Sequence, residues 1–589
     1  MSTTPSKLKL RAWLDKLPSL PEDPTHPTQI ALRTYSLALA LSLGPSLLPI
    51  VTRLLTSDRN LHKTIKALKK VLRRELGFDG FAFAVTFAIW GGTALGKWWN
   101  EEFHINNYSG QYSPLKHVFL TFSSRLSAYQ KSFLAYVLSS TVGFHLLLSG
   151  RRRSERLRAA LTLAIPYTPP TSTPAAILGK ASPTLDLTLL LLVRALDVLV
   201  QSFIQRQCGG LEVEEHQTIG ENDLLMQFEE KMKTEEEKRK RISSLTTKID
   251  AFAFWASSAR IMWCFFYQPQ RLPQSYVKWI GALASVDKRL LRTLRHVREG
   301  TWSYINGSKM HATELTTYAK DLGYPASWGS PTALPALGTN ATGTWKDLGV
   351  VGRDRIGGLP CELVHGGEGK AFGLAGSCTA NAGIRGIKAF MEALLIYLPA
   401  HILPVLISRP KSLLRLKRVV QTVLGACRSA TFLSAFISSY WLAVCFTRTV
   451  ALARLLPFIS HDFWDGPYGC ILAGCLTCGG SIWIENPRRR GEMALYVLPR
   501  AIRTYIPNRW VRSRTRVMTL ESSAFVLSLA SLLMAATYNP NCLRGISRWV
   551  LAFIMNGPSA GFWQRRRKAM TTQPGTPSLP INAVFSDIV

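Results

Sequence analysis

The sequence predicts an all-α, polytopic transmembrane helical bundle of two duplicated halves, with about 8–10 spans. Three observations predict it: long apolar runs free of formal charge, basic residues crowded beside those runs, and short sequence anchors that recur in one order. Of the 589 residues, 47% are hydrophobic and only 18% charged, and the polar ones are segregated into loops and tails. A formal net charge of +34 suggests nucleic acid for a soluble chain. Here Arg151-Arg152-Arg153 and Arg488-Arg489-Arg490 abut apolar runs, the placement that anionic headgroups and the positive-inside rule favour, so the expected partner is a lipid bilayer and not nucleic acid.

A helix crossing about 30 Å of hydrocarbon needs roughly 20 mostly apolar residues, because every backbone amide must be paired within the segment. In the first half this demand is met by Tyr35–Thr52, Gly80–Gly96, Ser132–Gly150, Leu187–Ile204 and Ala251–Gln268. In the second it is met by Ala389–Ile407, Ser429–Phe446, Gly466–Ile484 and Ser522–Asn539. Gly80, Gly91, Gly92 and Gly96, with Gly469, Gly474, Gly479 and Gly480, are expected to let neighbouring backbones approach closely. Met493–Ile506, short and carrying Arg500 and Arg503, reads as an interfacial helix.

The anchors are gapless or nearly so. ALALSLGPSLLPIV from Ala38 aligns with ALLIYLPAHILPVL from Ala393; RRRSE at Arg151 with RRRGE at Arg488; YQPQRLPQSYVKWI from Tyr267 with YNPNCLRGISRWV from Tyr538. The halves therefore run over 31–280 and 387–551. A polar tail occupies 1–30, a polar insert 205–248, a Gly/Ser/Pro-rich linker 281–386 whose cysteine-rich end is 360–386, and a basic, largely disordered tail 552–589. Such repeats are common in transporters, where sites fall between the halves. The insert and linker are the expected docking segments for protein partners. The start of the chain has no signal-peptide pattern, and parallel and inverted arrangements of the halves both remain open.

No Gly-rich phosphate loop, nucleophile elbow, His-Glu-x-x-His helix or paired-carboxylate motif occurs, so a non-enzyme without a cofactor is expected. Two thiolates and an imidazole from Cys361, His365 and Cys378 suit zinc, but no fourth ligand with standard spacing accompanies them. A disulfide between Cys361 and Cys378, or plainly packed cysteines, are the alternatives, and no metal is assigned. Cys475-x-x-Cys478 has redox spacing but lies in an apolar run, where packing is the expected role. Arg194, Asp197, Arg260, Glu392 and His401 fall inside apolar runs and are the intramembrane polar candidates, either lining a path or pairing between helices.

The stretch PCELVHGG to GSCTANAGIRGIKAFMEALLIYLPAHILPVLISRP, continuing through CRSATFLSAFISSYWLAVCF and GCILAGCLTCGGSIWIENPRRRGEMALYVLPRAI, resembles the cysteine-rich domain of the transmembrane protein 135 family, also called peroxisomal membrane protein 52. LDLTLLLLVRALDVLV and YQPQRLPQSYVKWI look like its other half, and the family bears a distant likeness to four-span Tim17-type membrane proteins. One departure is that the cysteine-rich element opens half two here, whereas the family's animal members carry it near their N-terminus. The resemblance implies a peroxisomal or mitochondrial membrane protein linked to organelle division, fatty-acid metabolism and lipid handling.

Overall fold

The structure is a computed structural model that describes residues 23–55, 80–105, 125–163, 184–208, 221–408, 415–506 and 514–558, with isolated positions at 21 and between 65 and 78. Among the described residues the chain is helical, and one isolated bridge, Ser303 with Gly307, is its only β pairing. The expected tails therefore lie mostly outside the described residues.

Among the described residues, five helices are long and apolar enough to cross a membrane: Ala128–Gly150, Leu185–Gln207, Cys378–Leu406, Leu416–Leu455 and Met518–Tyr538. They contain five of the nine runs read from the sequence. Only 17% of the apolar window in Cys378–Leu406 is buried by protein, leaving Leu395, Ile396 and Leu403 exposed. Apolar faces of that extent are stable against hydrocarbon and unfavourable in water. Three further runs lie in helices Pro27–Leu55, Phe81–Ile105 and Glu221–Tyr267. Gly466–Ile484 departs from expectation: an α-helix, Cys470–Cys478, passes into a 3₁₀ segment, Gly479–Ile484, and the pair is too short to cross. Gly469 explains the late start, because its backbone closes against the Phe463 and Trp464 carbonyls, where a side chain has no room.

The chain divides into two compact units that cut across the sequence halves. One comprises 1–175, 194–199 and 519–589; the other comprises 176–193 and 200–518. Each unit thus takes helices from both halves. The reason lies in packing: the Glu221–Tyr267 helix, which closes half one in sequence, packs on Pro487–Tyr505 and Cys470–Cys478 of half two.

In the first unit, Phe81–Ile105 packs along Ala128–Leu163. Ser139 donates to the Ala88 carbonyl at 2.8 Å, and a Cβ at Gly143 would stand 2.6 Å from that of Ala88. Small residues and serine-to-carbonyl bonds are the usual means by which helices associate in lipid, where apolar contact alone supplies no preference. The second unit repeats the device, with Ser434 donating to Gly386 O at 2.7 Å and Ser438 to Ala382 O at 3.0 Å.

The two Tyr-x-Pro-x-x-Leu anchors adopt one backbone. At Tyr267 and at Tyr538 a long helix ends; Gln268 (φ −141°, ψ 53°) and Asn539 (φ −134°, ψ 63°) break it, a 3₁₀ turn follows, and a short helix resumes.

The expected linker is folded instead. Lys288–Glu299, Ala312–Asp321, Ala341–Asp347 and Cys361–His365 enclose Trp302, Tyr304, Leu315, Tyr318, Trp328, Trp345 and Leu363. Two of the three indoles find acceptors, Trp345 Nε1 donating to Ile356 O at 2.6 Å and Trp328 Nε1 to Leu348 O at 3.0 Å, whereas Trp302 Nε1 is buried without one. Its glycine content serves helix ends, as at Gly300 and Gly366, which close their helices with φ of 73° and 67°. Of the polar insert, 221–248 is helical and continuous with the apolar run that follows it.

Candidate functional site

The second unit holds an apolar cavity of about 750 Å³, between residues 254–286 on one side and 397–497 on the other. Phe254, Ile261, Met262 and Phe266 face it from the Glu221–Tyr267 helix, Tyr276 and Trp279 from the short helix beyond, and Phe432, Phe436 and Tyr440 from Leu416–Cys445. Its wall is aromatic because the Glu221–Tyr267 helix and its packing partners present rings to each other: Phe254 and Phe432 meet edge-on at 5.7 Å, and Phe266 stacks on Tyr440 at 5.4 Å.

The charged groups of the lining, Glu485, Arg489 and Glu492, lie on one stretch of wall together with Ser429 and Tyr397, while Ser258, Ser275 and the tyrosines Tyr276 and Tyr440 add hydroxyls elsewhere. Arg489 donates to Ser429 Oγ at 3.2 Å and bonds the His401 imidazole. Glu485 is buried, its Oε1 accepting from the Asn486 amide at 2.8 Å. An apolar chamber with a few convergent polar groups is the usual form of a ligand site. An amphipathic guest fits it: a chain among the rings and a polar group near Arg489.

The intramembrane candidates are dispersed. Asp197 belongs to the first unit and is buried there, with Arg544 Nε 2.9 Å from both of its carboxylate oxygens. Arg194 stands one turn earlier, half-buried. Arg260, in the second unit, donates to Thr504 Oγ1 at 3.0 Å and lies over the Tyr505 ring at 4.5 Å. Glu392 is exposed on its helix. Only His401 joins the polar wall of the cavity, through Arg489. Arg544 and Arg489 were missed by sequence reading because each sits among basic residues flanking an apolar run.

Cys361, His365 and Cys378 are brought together, their donor atoms all within 4.8 Å of one another. Cys445 joins them, with its Sγ 3.4 Å from His365 Nε2. Hydrogen bonding with Cys378, then burial, pushes the Cys361 thiol up to about 12, while burial lowers His365. A second group, His296, His311 and Glu314, has its imidazoles stacked at 3.6 Å. Cys475 and Cys478 are fully buried free thiols, consistent with packing.

Between the two apolar helices Leu416–Leu455 and Cys470–Ile484 lies a buried polar knot absent from the sequence reading. Arg448 grips Asp465 with Nε–Oδ1 at 2.6 Å and Nη2–Oδ2 at 3.2 Å, and the Tyr304 hydroxyl donates to Asp465 Oδ2 at 2.6 Å. Asp462 fastens the folded 288–365 segment here, accepting from Ser303 Oγ at 2.7 Å and the Tyr304 amide at 2.8 Å.

His461 is enclosed beside this knot, facing Asp465, Arg448, Arg353 and Tyr304, and burial lowers its pKa from 6.5 to about 4. The folded state therefore refuses a proton that the unfolded chain accepts below pH 6.5. Stability from this residue is whole above pH 6.5 and is lost as pH falls toward 4, by about 3 kcal/mol at most. Chemical unfolding in detergent between pH 7 and 4.5 is expected to give a steeper acid loss for the native chain than for His461→Gln. Equal slopes would contradict the assignment.

No family model, no curated protein and no solved structure matches the chain.

Proposed function

We propose that the chain is a multi-pass protein of the peroxisomal or mitochondrial membrane that supports lipid or fatty-acid metabolism or organelle dynamics by holding a lipid chain in the 750 Å³ cavity. The observation carrying this reading is the combination of an aromatic chamber whose charged groups are confined to Glu485, Arg489 and Glu492 with five helices, among the described residues, apolar enough to cross a bilayer. The resemblance of the quoted motifs to the transmembrane protein 135 family agrees with it. Descent from two duplicated halves is supported by the common backbone at Gln268 and Asn539. The cavity lies between helices drawn from both halves, the place where repeat-built transporters keep their sites.

Trp279 lines the cavity and reports on it. A brominated long-chain fatty acid is expected to quench this indole saturably in detergent-purified protein, the signal being isolated by comparison with Trp279→Phe. Ala284→Phe, which adds a ring to the cavity wall, should weaken the quenching several-fold. Quenching that does not saturate, or that survives Ala284→Phe unchanged, would remove the lipid site. Fluorescent tagging beside peroxisomal and mitochondrial markers tests the organelle.

The rival reading is a scaffold that recruits soluble partners. Its support is the polar start of the Glu221–Tyr267 helix, where Glu236, Glu237, Arg239, Lys240 and Arg241 are exposed. Deleting 205–248 with loss of a bound protein and intact lipid quenching would favour it.

A further inference from the structure

We infer that Cys361, His365, Cys378 and Cys445 form a closed, structural Zn²⁺ site. Three of these residues are near one another in sequence; the fourth is the one that spacing did not reveal. Cys445 ends the Leu416–Cys445 helix, 67 positions beyond Cys378 by residue number, at the point where the helix widens into the π-turn Phe446–Val450.

The donors converge from three elements. Cys361 and His365 open and close a single helical turn, and an i, i+4 spacing places both on one face. Cys378 is the first residue of the Cys378–Ser408 helix. Cys361, His365 and Cys445 are all buried. Zinc bonds of about 2.3 Å to sulfur and 2.0–2.1 Å to nitrogen, arranged as a tetrahedron, separate neighbouring donors by roughly 3.5–3.8 Å. The 3.4 Å between His365 Nε2 and Cys445 Sγ already matches that figure, and the grouping of Cys361, His365 and Cys378 within 4.8 Å needs only small shifts; Cys445 lies outside that grouping and must close further on the other sulfurs to complete the tetrahedron.

The surroundings are those of a metal ligand set. His365 Nδ1–H donates to Ala375 O at 2.8 Å, which fixes the tautomer and turns the Nε2 lone pair toward the sulfurs. Arg353 is buried, and its Nη1 donates to Cys361 Sγ at 3.2 Å. Zn²⁺ with three thiolates carries one net negative charge, which this guanidinium offsets. Thr449 Oγ1 lies 3.5 Å from the same sulfur. Binding releases the thiol protons to solvent and changes no oxidation state. Four protein donors leave no open position, so the ion serves as a clamp joining the folded 288–365 segment to the start of one apolar helix and the end of another.

The test uses full-length protein purified in detergent without chelators, loaded with Zn²⁺ or Co²⁺ alone. Stoichiometric metal is expected, with tetrahedral cobalt d–d bands and intense thiolate-to-cobalt charge transfer. Cys361→Ser and Cys445→Ser should lose the metal, whereas Cys427→Ser should retain it. Cys445→His, which replaces one zinc donor by another, should keep the metal with weaker thiolate charge transfer, and this separates loss of a ligand from failure to fold. A natively helical protein that takes up neither ion, an intact mass showing a Cys361–Cys378 disulfide, or an unaltered cobalt spectrum in Cys445→Ser would each overturn the assignment. The clamp stands whether or not the cavity takes lipid.

Discussion

Arg448→Met is expected to destabilise the second unit by about 3–5 kcal/mol, the cost of stranding one partner of a buried ion pair. Arg448 and Asp465 are both buried, and Asp465 also receives the Tyr304 hydroxyl. Burial pulls the Asp465 carboxyl upward, but Arg448 and His461 hold it well below the usual carboxylate range. Without the guanidinium, Asp465 must either keep an uncompensated charge or take up a proton. Because Asp462 anchors Ser303 and Tyr304 three residues away, the 288–365 segment should loosen at the same time. Thermal unfolding in detergent should fall sharply, and limited proteolysis should cut first between 288 and 365. The double variant Arg448→Met with Asp465→Leu removes both charges and should recover part of the loss. A single variant as stable as the native chain would show that the pair is solvated and not buried.

This knot marks the limit of what the sequence makes legible. Apolar length is a local property, so runs such as Ser132–Gly150 and Ala389–Ile407 can be found without knowing any partner, and both lie within helices of spanning length. Gly466–Ile484 has the composition of a span, but close backbone contacts at Gly469 delay its helix, which composition does not record. Arg448 follows an apolar run and reads as an ordinary basic flank; only the fold brings Asp465 to it. The 281–386 stretch has the composition of a linker for a related reason. Its core is built from tryptophans and tyrosines at irregular spacing, so no 3.6-residue period betrays it, and its glycines imitate a linker while serving as helix stops. Cys361, His365 and Cys378 are visible as a motif, but Cys445 is hidden as one more small residue in an apolar helix.

Asp197 poses the corresponding question for the first unit, and Arg544→Leu answers it. An intramembrane carboxylate is either part of a polar path or one half of a structural pair. Asp197 is buried, and Arg544 lies within hydrogen-bonding distance of both its oxygens, a two-pronged geometry that a planar guanidinium holds better than lysine. This arrangement favours the pair. Arg544 follows the Pro540–Cys542 turn beyond the last long helix, so the contact fixes the 194–199 stretch of the first unit against that turn. Truncating the arginine leaves a desolvated charge and is expected to cost about 3–5 kcal/mol, lowering the unfolding midpoint in detergent. Exchanging the partners, Asp197→Arg with Arg544→Asp, should restore more of the stability than Arg544→Lys, which keeps the charge but loses the fork. Lipid quenching of Trp279, whose cavity belongs to the other unit, should persist in any variant that still folds. If Arg544→Leu instead unfolds at the native midpoint, Asp197 is not committed to a structural partner, and the polar path becomes the reading to pursue.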